Sequence, residues 1–172
     1  MLFWVLVVNL PERSRRRLLR ENLSRRYQDF REDTIQILLW AAIGTHDSEL
    51  PKELCDHQKF REFFDENKKE RWYAALNGLQ SDKDRIEDLL LELELFAGEV
   101  SYVLNKVSIQ DPKVHSFFKR LNEHIYRLKN ASVYSYDQVK YLGGFLWEIH
   151  ARWSIIDGQR ERDVIQDMIE SL

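Results

Sequence analysis

The chain has 172 residues, 26 Lys and Arg against 29 Asp and Glu for a net charge of −3, and 44% hydrophobic residues with only six glycines and three prolines. That size and composition suit one packed core and exclude a disordered or fibrous chain. A single cysteine, Cys55, excludes an intramolecular disulfide and a thiolate metal cluster made by this chain alone, and fits a reducing compartment.

The first ten residues, MLFWVLVVNL, are uncharged, and a dense arginine cluster follows. Residues 12–31 hold eight arginines against Glu12, Glu21 and Asp29, a balance of +5, so the 141 residues after them sum to −8. Ten helical residues rise only about 15 Å, half of a hydrocarbon core of roughly 30 Å, and Asn9 and Pro11 stop the apolar run. The stretch cannot span a bilayer as written, and it lacks the basic start and small-residue cleavage site of a signal peptide. Two membrane readings fit: the tail of an anchor whose upstream residues are missing, or shallow insertion with arginines on anionic lipid. On either, Leu2, Phe3, Trp4, Val5 and Leu6 meet the acyl boundary, and Arg13, Arg15, Arg16, Arg17 and Arg20 meet the headgroups. The plain alternative packs the apolar side chains on the body and leaves the arginines as a solvated face. Nucleic-acid binding is disfavoured: only Tyr27 and Phe30 interleave with the arginines, no recognition motif is present and the body is acidic.

The apolar spacing predicts helices throughout. The first runs from about Pro11 to a stop at Gly44, and its apolar second half, IQILLWAAI, is expected to be enclosed. Pro51 restarts a helix through KELCDHQKFREFFDE, and Asn67 is expected to cap another, KKERWYAALNGL, weakened near its end by Gly78. Ser81 and Asp84 read as a capping box opening what looks like the longest helix, about 82–109. Its stripe is Ile86, Leu89, Leu93, Phe96, Val100, Val103 and Val107. Asp111 and Pro112 open a helix with Val114, Phe117, Phe118, Leu121, Ile125 and Leu128 on one face. Ser135 and Gln138 form a second capping box, before a helix whose stripe runs Val139, Leu142, Leu146, Ile149, Trp153 and Ile156 to a break at Asp157-Gly158. A last helix, about 160–171, carries Val164, Ile165, Met168 and Ile169. The prediction is an all-α, single-domain bundle of six to seven helices: residues 1–11 form an apolar membrane-proximal segment, and residues 12–172 a helical domain with a basic first helix.

No phosphate loop, HExxH, GxSxG or CxxC is present, and no histidine has a glutamate three positions before it, so the ligand pair of a di-iron bundle is missing. No catalytic residue, cofactor or metal site is assigned. Glu53 and His57, four apart, are weighed as metal ligands against an ordinary helix-surface pair. Asp88, Glu92, Glu99 and Tyr102, opposed to Glu148 or His150, are weighed as a cation or ligand face against flanking surface charge. In LGGFLWEIHARW, paired glycines cost about 1 kcal/mol each in a helix, so something must approach closely. Tyr141, Gly143, Gly144, Trp147 and His150 therefore mark either a helix crossing or a small-molecule pocket.

The segments FLWEIHARWSIIDGQRERDVIQDMI and ELELFAGEVSYVLNKVSIQDPKVHSFFKRL resemble uncharacterised bacterial helical proteins with an N-terminal membrane anchor before a basic juxtamembrane segment. The resemblance covers about two-thirds of the chain and implies no reaction; the half-length apolar start departs from it. The function expected first is a non-enzymatic scaffold or regulatory module at the cytoplasmic face of an inner membrane, with an anionic lipid surface and a protein partner or second copy as its contacts. The alternatives are a membrane-coupled effector that senses a nucleotide or small metabolite, a metal-binding bundle enzyme and, for location, the cytoplasm.

Overall fold

The computed structural model describes residues 10–109, 111–131, 135–154, 158–159 and 163–172. The fold is all-α. The described residues form α1 (Leu10–Ile43), α2 (Leu50–Glu53), α3 (His57–Ser81), α4 (Lys83–Lys106), α5 (Pro112–Lys129), α6 (Tyr136–Ala151) and α7 (Val164–Ser171). Between α6 and α7, Trp153–Ser154 pairs antiparallel with Gly158–Gln159.

Helix α1 is the axis of the bundle and, at 34 residues against 24 for the helix over 83–106, the longest described element, as its span from about Pro11 to Gly44 implied. Leu19, Leu23, Tyr27, Phe30, Thr34 and Leu38 recur at steps of three and four and are all buried. Gly44 ends the helix as expected: its left-handed φ of 75° lets its N–H reach the Trp40 carbonyl at 3.2 Å. The IQILLWAAI segment is only half enclosed. Small Ala41 turns towards α3, which leaves Trp40 and Ile43 at 41% and 45% exposure.

Helix α4 runs antiparallel to α1, with Arg26 on Glu92 at one level and Arg85 on the Trp40 carbonyl at another. All seven residues of its predicted stripe are buried. Its cap is Asp82, whose side chain accepts from Arg85 N, and not Ser81, which is the last residue of α3. The helix ends at Lys106, because Val107 is already extended.

The segment after Pro51 departs further from expectation. The helix begun there lasts one turn, because Asp56 accepts hydrogen bonds from Gln58 N and Lys59 N and starts α3 afresh. Helix α3 is one hydrogen-bonded element to Ser81, but it turns back close to the boundary expected at Asn67. Twelve residues of helix rise about 18 Å, yet the Phe60 and Trp72 rings lie 6.1 Å apart. Arg71 also donates to the Phe63 carbonyl at 3.2 Å. The element folds back around Lys69, whose φ of 67° is left-handed.

The caps of α5 and α6 are those read from the sequence. Asp111 accepts from Lys113 N, and Ser135 and Gln138 exchange both capping-box hydrogen bonds. Ser135→Ala is expected to cost about 1 kcal/mol in urea denaturation. Helix α6 stops at Ala151, five residues early, because Arg152 adopts φ 50° and sends the chain into the strand pair. Trp153 therefore leaves the helical stripe, and Ile156 and Asp157 lie outside the described residues. Asp163 caps α7 through Ile165 N and Gln166 N, so that helix begins at Val164.

Candidate functional site

The basic end of α1 stands clear of the bundle. Every described side chain from Arg13 to Leu18 is exposed, Leu18 at 56%, and Leu19 is the first to enter the core. Arg13, Arg15, Arg16 and Arg17 thus surround a helical end about 9 Å long beyond Leu19. Arg17 forms an i,i+4 pair with Glu21 at 3.7 Å, and exposed Arg20 donates to the Glu170 carbonyl of α7 at 3.3 Å. Leu2, Phe3, Trp4, Val5 and Leu6 lie outside the described residues. Among those described, no helix is long and apolar enough to cross a membrane.

The face of α6 that carries Gly143, Trp147 and His150 is buried. A Cβ on Gly143 would lie 2.5 Å from Leu76 Cδ2, so α3 fills the space above it. Trp147 packs on Trp72 at 5.0 Å and Phe60 at 5.7 Å. His150 sits between Phe60 and Phe30, at 5.2 and 6.5 Å, with Nε2 3.0 Å from Thr34 Oγ1. These contacts make a helix crossing here, with no room for a ligand between Leu76 and Gly143. Tyr141 and Gly144 belong to the opposite, exposed side, and nothing lies within 4 Å of a Cβ on Gly144.

The carboxylate candidates are not brought together. Glu53 closes α2 while His57 opens α3, so the pair shares no helix. Glu92 pairs with Arg26 at 2.5 Å, and Glu148 with Arg120 at 2.5 Å, while Asp88 and Tyr102 face solvent. No group of three or more His, Cys, Asp or Glu among the described residues is placed to hold a metal ion.

A polar cleft that the sequence reading did not single out lies where α1, the turn before α3 and α7 meet. It encloses about 250 Å³ and is lined by Ser24, Tyr27, Gln28, Arg31, Cys55 and Gln166. Ser24, Gln28 and Arg31 follow helical spacing and form a polar edge beside the core stripe, to which Tyr27 belongs. Arg31 is fixed from two sides: Nη2 donates to the Cys55 carbonyl, and its guanidinium carbon lies 5.8 Å from the Tyr27 ring centroid. Its Nε is buried without a partner. Tyr27 donates to Asp163 Oδ2 at 2.5 Å; burial, then the Asp163 charge, pushes its phenol well above the usual value. Burial also raises the Cys55 thiol, which stays neutral. His57 beside the turn is pushed down, first by burial and then by the charge of Arg152, with Asp56 opposing and Arg61 and Arg31 adding to it.

No family model, curated protein or solved structure matches the chain.

Proposed function

We propose that the chain is a non-enzymatic, membrane-proximal helical module, a scaffold or regulator held at an anionic lipid surface by the first turns of α1. The observation that supports this reading is the exposure of every side chain from Arg13 to Leu18 on a helical end that no other described element covers. These exposed arginines stand next to the uncharged decamer in the sequence. Each arginine near an anionic leaflet contributes about 1 kcal/mol, so Arg13, Arg15, Arg16 and Arg17 together give roughly 4 kcal/mol. Shallow insertion of Leu2, Phe3, Trp4, Val5 and Leu6 would supply the second signal that stable attachment needs. The positive-inside preference places such a collar on the cytoplasmic face.

Flotation with vesicles containing phosphatidylglycerol tests this. The full chain is expected to float at low salt and to be released as the ionic strength rises past the screening range. Replacing Arg13, Arg15, Arg16 and Arg17 by Gln should lower partitioning by roughly three orders of magnitude without changing the melting temperature. Equal flotation of the two proteins, or equal binding to vesicles of phosphatidylcholine alone, would sink the proposal.

A further inference from the structure

The cleft against Arg31 carries an inference independent of the lipid contact. A guanidinium is costly to desolvate, and where it is half-buried it ordinarily meets a carboxylate. Arg26 does so with Glu92, and Arg120 with Glu148. Arg31 forms no ion pair with a described carboxylate, although acids outnumber bases in the chain. Its nearest oxygen partner is the neutral Cys55 carbonyl. The guanidinium is nonetheless held in place, by that carbonyl and by the Tyr27 ring.

The other groups in the cleft are neutral. Ser24 offers a hydroxyl, Gln28 and Gln166 offer amides, and Cys55 a thiol; no carboxylate lines it. One cation ringed by several single donors suits a tetrahedral anion with oxygens in several directions better than a planar carboxylate, which takes two parallel bonds. Beside the cleft, Arg152 acts on both Tyr27 and His57, against the opposing charges of Asp163 at the first and Asp56 at the second. The volume of about 250 Å³ admits a phosphate with a small organic body.

We propose that the cleft formed by Ser24, Tyr27, Gln28, Arg31, Cys55 and Gln166 is a binding site for a phosphate monoester, with Arg31 as its charged anchor. Two sources share that chemistry. One is a small soluble phosphate ester. The other is a lipid headgroup, because Arg13, Arg17, Arg20, Ser24, Gln28 and Arg31 recur at steps of three and four along α1 and link the cleft to its basic end.

The test titrates the full chain with inorganic phosphate and with glycerol 3-phosphate at constant ionic strength, reading the melting temperature and the His57 imidazole resonance. Saturable stabilisation is expected, together with a rise in the His57 pKa as the bound anion offsets the neighbouring arginines. Arg31→Met should weaken binding at least tenfold. Because it also removes the bond to the Cys55 carbonyl, the exposed pair Ser24→Ala and Gln28→Ala provides a second variant, expected to weaken binding several-fold with the fold intact. Replacing Arg13, Arg15, Arg16 and Arg17 by Gln should leave soluble phosphate binding unchanged, so a failure of the lipid proposal is distinguishable from a failure of this one. Vesicles with phosphatidic acid or phosphatidylglycerol separate the sources. A preference for phosphatidic acid that Arg31→Met abolishes assigns the headgroup, and soluble binding without that preference assigns the free ester. Absence of both, or equal responses in wild type and Arg31→Met, overturns the site.

Discussion

Gly78→Ala is expected to destabilise the protein by about 3 kcal/mol, although the same change in an unobstructed helix would stabilise it by about 1 kcal/mol. The sign is reversed by geometry. A Cβ at position 78 would lie 2.2 Å from the Ala41 carbonyl oxygen and 2.9 Å from its carbon. Both atoms belong to the backbone of α1, so no rotamer change relieves the clash. The helices must separate, and separation opens the packing of Leu38, Leu39, Ala75 and Leu79, all buried. Two other glycines serve as controls. At Gly143 the obstacle is the flexible end of Leu76, so Gly143→Ala should cost less. At Gly98 nothing lies within 4 Å, so Gly98→Ala should stabilise by roughly 0.5 to 1 kcal/mol. Urea denaturation should therefore rank the proteins Gly98→Ala, wild type, Gly143→Ala and Gly78→Ala in falling stability. A Gly78→Ala protein as stable as wild type would show that α1 and α3 do not touch backbone to backbone.

That ranking also marks how far the sequence could be read. A glycine inside a helical pattern announces a close approach or a weak spot, but not what approaches, because the partner lies 37 positions away for Gly78 and 67 for Gly143. Helix faces were legible wherever the stripe was regular, as in Ile86 to Val107, since a single period fixes which side is buried. Helix starts were legible where a cap stood alone, as at Asp111 and Ser135. They were misread where signals competed. Pro51 and Asp56 can each start a helix, and Asp56 prevails because its side chain satisfies two backbone N–H groups. The left-handed turns at Lys69 and Arg152 carried no glycine or asparagine at the turning residue, and tertiary contacts impose them: Phe60 against Trp72 at one, the Trp153–Gln159 pairing at the other. The cleft was hidden for a related reason. Arg31 reads as one more member of a basic run, and only the arrival of Cys55 and Gln166 from distant segments makes it the wall of a cavity. One signal was available: Ser24, Gln28 and Arg31 repeat at helical spacing beside an otherwise apolar stripe.

Acidification from pH 7.5 to 5.0 is expected to remove roughly 2 kcal/mol of stability through His150 alone. Thr34 Oγ1 lies 2.6 Å from the Phe30 carbonyl, and the hydroxyl has one proton, which goes to that acceptor. The Nε2 of His150, 3.0 Å from the same oxygen, is then the protonated nitrogen and donates to it. Nδ1 keeps a lone pair in the core with no partner. A second proton there would create a cation enclosed by Phe30 and Phe60 that has no acceptor, and burial, followed by the charge of Arg31, holds the folded pKa well below 6.5. The unfolded chain takes up that proton near its ordinary value, so below about pH 6.5 it binds more protons than the folded protein. Stability is therefore full above that pH and falls as the pH drops, by about 1.4 kcal/mol per unit until the folded pKa is reached. His124, half-buried against Phe145 and pushed down to about 4 mainly by burial, adds a slope of the same sign. His150→Leu isolates the larger effect, because Thr34 keeps its bond to the Phe30 carbonyl and the cavity stays apolar. Urea denaturation of both proteins at the two pH values should show the wild type losing about 2 kcal/mol more than His150→Leu. A difference that stays constant across the range would mean that Nδ1 finds an acceptor in the folded core and that the imidazole is charged there.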